Sequence, residues 1–196
     1  MNAVVETTEE TAIWLKHTVV VDAAYGAERM RLHLFLPKNG SPPYQTIVFF
    51  PPGDALRLRS SRDLSLRWGE FILRSGRAFL YPVYKEMYER ASLTDRGSVG
   101  ERELRIAWSK DLGRAIDYLE TRSDIDRDRL AFYAMSAAIP GVILTAIEPR
   151  LKTSVISGAG LVLGEQPEND PLNYAPRVRI PTLMLNAQFD FETPVE

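Results

Sequence analysis

The sequence predicts a single α/β domain built on a mostly parallel sheet, and three observations carry that expectation. Strand-like runs open the chain, apolar strands alternate with amphipathic helical segments from residue 46 onward, and 196 residues fit one hydrophobic core rather than two. Apolar residues make up 45% and charged residues 26%, the balance of an ordinary globular chain, which argues against a fibrous repeat or a disordered polymer. With no cysteine there is no disulfide, CxxC centre or thiol nucleophile. Two histidines, His17 and His33, are too few for a histidine-rich metal site. A net charge of −2 supplies no general attraction to nucleic acid or an anionic membrane.

The elements follow in order. The first ten residues are acidic and lack the basic and apolar regions of a signal peptide, so a cytoplasmic location is the expectation. Residues 17–21 and 29–36 read as two strands of a hairpin, turned at Ala24-Tyr25-Gly26-Ala27. Residues 37–43 are a loop by composition, and Thr46-Ile-Val-Phe-Phe50 has the continuous apolar run of a strand buried on both faces. Residues 61–75 space Leu64, Trp68, Phe71 and Ile72 for one helical face, with Gly76 as the stop signal. A strand at 78–83 comes next. Leu104, Ala107, Trp108, Ala115, Ile116 and Leu119 then form the apolar stripe of a helix of about five turns. Residues 129–133 predict a strand, 137–147 an apolar helix, and 154–157 and 182–185 two further strands. The 18 uncharged residues at 130–147 reach the minimum for a membrane span. Their pattern changes from strand to helix midway, which a buried strand turning into a buried helix explains better. Repeated βα units place helices on both faces of the sheet.

The chemistry concentrates at that change of pattern. Ser136 sits within Ala134-Met-Ser-Ala-Ala138, between strand and helix, and so matches the nucleophile elbow G-x-S-x-G with alanine at both flanking glycine positions. A tight turn there exposes the hydroxyl above the sheet, and the helix N-terminus favours developing negative charge. The backbone N–H of Ala137 is placed to donate to an oxyanion. A serine capping a core helix fits the same residues. Phe49-Phe-Pro-Pro-Gly-Asp54 follows an early strand, where hydrolases place the second oxyanion donor, making Gly53 and Asp54 candidates; a plain Pro/Gly turn accounts for them too. Asp190 follows a late strand, 54 residues beyond Ser136, in the Ser…Asp order of this fold, although turn chemistry also places aspartates in loops.

The chain as a whole resembles bacterial α/β-hydrolases of the dienelactone hydrolase and acyl-peptidase type, especially domains that occur alone or fused behind serine/threonine protein kinase domains. The resemblance runs through Asp22-Ala-Ala-Tyr-Gly26, Leu34-Phe-Leu-Pro-Lys-Asn39, Pro42-Pro-Tyr-Gln-Thr46 and Tyr81-Pro-Val-Tyr-Lys85. It continues in Trp108-Ser-Lys-Asp-Leu-Gly-Arg114, Asp117-Tyr-Leu-Glu-Thr-Arg122, Asp124-Ile-Asp-Arg-Asp-Arg-Leu130, Glu148-Pro-Arg-Leu-Lys152 and Asn173-Tyr-Ala-Pro-Arg177. The resemblance implies an α/β-hydrolase fold over 1–196, with Ser136 as nucleophile, Asp190 as triad acid, and an oxyanion hole from Ala137 with Gly53 and Asp54. It implies a carboxylesterase-like serine hydrolase acting on esters or small acyl compounds, without metal or organic cofactor. Peptidase activity on short peptides, or an interaction module with impaired chemistry, are the alternatives. Nucleic acid and membrane are not expected partners, whereas self-association or a covalent fusion partner is compatible with such relatives.

The chain departs from the family at the elbow, where Ala134, Ala137, Ala138 and Pro140 replace a glycine-rich run, and at the base. The family's histidine follows the acid, yet only six residues follow Asp190, and both histidines lie in the N-terminal hairpin. The expectation is therefore the first seven of eight strands, without the last strand, its histidine loop and the C-terminal helix. Alternation between Leu32 and Leu34 makes His33 a surface or sheet-face residue. Arg57, Arg59, Arg62, Arg67, Arg74 and Arg77 suggest anion binding, but Asp54, Asp63 and Glu70 interleave with them, and a solvated helix face is the better reading. Tyr84, Met87 and Tyr88 fit an acyl pocket or plain packing. Asp124, Asp126 and Asp128 alternate like calcium ligands without completing an EF-hand, and read as a polar loop.

Overall fold

The structure, a computed structural model, describes residues 1–62, 64–92, 98–136, 139–158, 161 and 166–189. Its centre is a sheet of eight strands: β1 (Val4–Glu10), β2 (Trp14–Asp22), β3 (Arg29–Pro37), β4 (Tyr44–Phe50), β5 (Ala78–Pro82), β6 (Ile125–Met135), β7 (Thr153–Ser157) and β8 (Thr182–Leu185). They lie in the order β1-β2-β3-β5-β4-β6-β7-β8. The first three strands and β5 are joined by antiparallel pairings, and β5, β4, β6, β7 and β8 run parallel. Among the described residues four α-helices accompany them: α1 (Glu70–Arg74), α2 (Ser98–Glu120), α3 (Ile139–Ile147) and α4 (Pro171–Tyr174). The predicted α/β architecture, with its mostly parallel sheet, is the one observed.

The two faces of the sheet follow from residue parity. Phe79, Ile47, Phe49 and Tyr133 share one face, where Gly69 at the start of α1 presses on the Phe79 ring. Phe50 and Ala134 share the other, where Trp108 of α2 meets the Phe50 ring edge-on at 5.2 Å. Helix α2 buries Leu104, Trp108, Leu112, Ala115, Ile116 and Leu119 at helical spacing against that second face. The predicted 18-residue uncharged run is divided between β6 and α3, and no helix among the described residues is long and apolar enough to cross a membrane.

Three expectations need correction. The N-terminal hairpin is a three-stranded antiparallel unit, because β1 adds an edge strand, so the expected seven strands are eight among the described residues. Every residue of β1 is exposed, and its acids face cations: Glu9 meets Lys16 at 3.0 Å, Glu6 meets Arg31 at 2.9 Å, and Glu10 pairs with Lys38. A charged edge strand resists edge-to-edge aggregation. The helix expected over 61–75 is reduced to α1. Ser61 gives its backbone N–H and its hydroxyl to Glu89, at 2.9 and 2.8 Å, which holds the segment as a loop. The Phe79 ring would lie 2.5 Å from a Cβ on Gly69, so the chain enters α1 through the one residue that fits. The polar loop expected at 124–128 is largely strand, since β6 begins at Ile125; Asp124 pairs with Arg122 at 2.6 Å, and Asp126 accepts the Asp128 N–H at 3.1 Å.

Candidate active site

Ser136 follows the last residue of β6 and precedes α3 by a short connection. Its φ is +61°, a left-handed conformation that costs a residue with a Cβ roughly 1–2 kcal/mol. The turn is tied to the neighbouring strand, since the Ser136 N–H donates to the Ser157 carbonyl at 2.8 Å. Beyond β7, Gly158 also has positive φ, +65°, and a Cβ there would lie 4.0 Å from the Ser136 Cα. The side of Ser136 away from this contact is exposed. Replacing Ser136 with glycine is expected to raise stability by about 0.5–1 kcal/mol, because glycine adopts this φ freely. Ser136→Ala keeps the Cβ and should gain nothing. Chemical denaturation of the two variants reads the difference, and equal stabilities would show that the turn is unstrained.

Ser136 opens onto a cavity of about 510 Å³, whose wall includes Gly53, Asp54, Arg57, Arg67 and Trp68. Gly53 and Asp54 belong to the 3-10 turn Gly53–Leu56 that follows β4, so the loops after β4 and β6 meet at one end of the sheet. A Cβ on Gly53 would touch nothing within 4 Å. The Arg67 guanidinium stacks on Trp68, 4.5 Å from the ring centre, and lies 3.7 Å from Asp54. An adjoining chamber of about 220 Å³ shares Pro52, Asp54, Arg67 and Trp68, and adds Tyr81 and Tyr88, whose hydroxyls bond each other at 2.7 Å. Of the residues considered for an acyl pocket, Tyr84 and Met87 are fully buried core, and Tyr88 alone lines this chamber. Arg74 pairs with Glu70 on an exposed helix face, whereas Arg57 and Arg67 border the cavity. Trp68 escaped notice as a cavity residue, because its spacing reads as the apolar face of a helix.

Two of the candidate residues, Ala137 and Asp190, lie outside the described residues. Neither histidine lines the Ser136 cavity. His33 stands on β3, three positions across the sheet from β6, and is buried rather than at the surface. Its Nδ1 is 3.2 Å from the Thr18 hydroxyl and its Nε2 2.9 Å from the Ser61 hydroxyl. Strand alternation failed to reveal this because β3 is covered on both faces. His17 on β2 has its Nδ1 3.5 Å from Arg122, and burial together with that guanidinium holds its pKa below the usual imidazole value. Among the described residues no group of three or more acidic or histidine side chains is arranged to hold a metal ion.

A scan against protein-family models found no match, and neither did a search of curated proteins. Solved structures do match. A cold-adapted esterase from an Arctic intertidal metagenomic library superposes with a TM-score of 0.69 at 13% identity, over 95% of this chain and 81% of that one. An acetyl xylan esterase from Paenibacillus sp. R4 gives 0.69 at 16% identity, over 94% and 72%. A glucuronoyl esterase from Solibacter usitatus gives 0.59 at 18% identity, over 81% of this chain and 52% of its own, so the chain spans about half of that protein. These superpositions show the fold, which is the α/β-hydrolase fold.

Proposed function

We propose that this chain of α/β-hydrolase fold is a single serine hydrolase domain, over residues 1–196, that cleaves esters or small acyl compounds with Ser136 as its nucleophile. The observation that carries the reading is the +61° φ of Ser136, in the turn between β6 and α3, at the wall of a cavity. Backbone strain at a serine in this position is a cost that a capping role does not require. In the proposed reaction the Ser136 Oγ attacks the ester carbonyl, the alcohol leaves with a proton, and water then releases the acid from the acyl-serine. Amide donors of Ala137 and of Gly53 or Asp54 would stabilise the tetrahedral oxyanion, and Asp190 would be the acid of the triad. The esterases among the structural neighbours support the ester as substrate class. The reaction as proposed calls on no metal or organic cofactor.

Turnover by the 196-residue chain should be slow. Neither histidine lines the cavity, and a triad lacking one member retains only the acceleration due to binding and oxyanion stabilisation, about 10³–10⁴ over water. A fluorophosphonate probe tests the nucleophile separately from turnover. Mass spectrometry of the labelled chain is expected to place the adduct on Ser136, and Ser136→Ala should remain unlabelled. An adduct elsewhere, or equal labelling of the variant, would remove the assignment. Hydrolysis of a short-chain activated ester at the rate of ordinary esterases, abolished in Ser136→Ala, would show that another residue supplies the base.

A further inference from the structure

The chamber of about 220 Å³ beside the Ser136 cavity lies on the β5 side of the sheet, away from β7 and β8. Its inner wall is formed by Tyr81, near the end of β5, and Tyr88, which opens the 3-10 turn Tyr88–Arg90. Pro52, Ala55, Leu58 and Trp68 complete the apolar surface. Tyr88 has a φ of +50°, a left-handed conformation that a bulky residue adopts only under constraint. The constraint is visible in the same turn. Glu89 is fastened to Ser61 and Arg31, and Arg90 to Asp111, so the turn carries the Tyr88 ring to Tyr81. The result is a pair of phenols, each at most 4% exposed, joined by one hydrogen bond of 2.7 Å.

That pair leaves a chemical remainder. Two hydroxyls hold two hydrogens, and their mutual bond uses one of them. Neither oxygen has another partner among the described residues, so one buried phenol hydrogen lacks an acceptor. A ligand oxygen that meets it removes the cost of that unmade bond. The charged residues of the wall, Arg67 and Asp54, face each other at 3.7 Å, so the chamber draws neither sign of charge. Size narrows the choice further. A cavity of about 150 Å³ accommodates a benzene ring, so 220 Å³ holds one six-membered ring with a small substituent. A sugar ring of that size carries hydroxyls on every side, and Pro52, Ala55 and Leu58 would leave most of them unpaired. A flat aromatic ring has none to lose, and Trp68, Tyr81 and Tyr88 offer it ring contacts.

We propose that this chamber is a substrate subsite for one neutral aromatic ring bearing an acceptor oxygen, such as a methoxyl group, which takes the spare hydrogen of the Tyr81–Tyr88 pair. The inference rests on the serine hydrolase reading of the neighbouring cavity and names the class of ester, one that carries such a ring a short distance from the reacting carbonyl. Pro52, Asp54, Arg67 and Trp68 border both spaces, so a ring in the chamber stays beside Ser136.

Binding of 4-methoxybenzamide and of benzamide to the full chain, followed by NMR titration, tests the ring site without any reaction. The methoxy compound is expected to bind about five-fold more tightly, the effect of one neutral hydrogen bond. Tyr81→Phe with Tyr88→Phe removes both hydroxyls and keeps the rings, so that variant should bind the two compounds equally. Deleting both partners together leaves no unmet group, and circular dichroism checks the fold. Saturating 4-methoxybenzamide should also slow fluorophosphonate labelling of Ser136 several-fold in the wild-type protein. Equal binding of the two compounds to the wild-type chain, a methoxy preference that survives in the variant, or no binding of either would overturn the proposal. So would labelling of Ser136 that stays unchanged with the compound bound, since the chamber would then be detached from the reacting serine. Methoxy-selective binding that the variant loses, in a chain whose Ser136 never reacts with the phosphonate, would instead remove the nucleophile and leave the ring site standing.

Discussion

Replacing Asp111 with alanine is expected to remove about 3–5 kcal/mol of folding stability, the usual cost of leaving half of a buried ion pair. Asp111 stands on the buried face of α2, and its side chain is completely shielded from solvent. It accepts hydrogen bonds from Arg90 at 2.7 Å, the Lys85 backbone N–H at 2.8 Å and the Tyr25 hydroxyl at 2.9 Å. Arg90, with a side chain only 7% exposed, also donates to the Val83 carbonyl at 2.8 Å and to the Tyr25 hydroxyl at 2.6 Å. Burial pushes the Asp111 carboxyl above the usual carboxylate range, against the pull of Arg90. The network therefore joins α2, the β2–β3 turn and the loop after β5. Alanine would take away the closer and fully buried of the carboxylates beside Arg90, leaving Glu28 at 3.3 Å. The double change Asp111→Leu with Arg90→Leu should recover part of the loss, because it removes both charges. Urea denaturation at pH 7 measures both, and a loss below about 1 kcal/mol in Asp111→Ala would show that the pair is dispensable.

The second large effect is on acid stability. Burial first, then the Lys16 and Arg31 charges, press the His33 pKa down to about 3, with Glu89 opposing them. The Ser61 hydroxyl donates to Glu89, so its oxygen is left to accept from His33 Nε2–H, and Nδ1 accepts from Thr18. A histidine whose pKa is depressed by folding takes up its proton first in the unfolded chain, near 6.5. Its contribution is therefore complete above pH 6.5 and is lost as the pH falls toward about 3, at about 1.4 kcal/mol per pH unit. In His33→Gln this component disappears. Denaturation of both chains at pH 6 and pH 4 should show the steeper decline in the wild-type protein. Equal slopes would mean that His33 is solvated or already charged.

His33 and Ser61 also show where local pattern stops being informative. Leu32-His33-Leu34 alternates as a half-exposed strand does, yet the loop that carries Ser61 closes over it. The spacing of Leu64, Trp68, Phe71 and Ile72 satisfies a helix, but Glu89, far along the chain, holds Ser61 in a loop, and Phe79 admits only a glycine at 69. β1 carried no apolar periodicity at all. Its acids acquire partners only when Lys16, Arg31 and Lys38 are brought beside them by pairing with β2 and by the β2–β3 hairpin.

The strand-to-helix junction at Ser136 and the alternation of apolar strands with amphipathic helices were determined by the sequence alone. Those signals are local: side-chain periodicity of two or of about 3.6 residues decides which face can be buried. The tertiary structure alone decided that Arg57, Arg67 and Trp68 border one cavity with Ser136, and that both histidines stand away from it. Strand order sets those distances, and strand order depends on contacts between residues far apart in the chain, which no local pattern records.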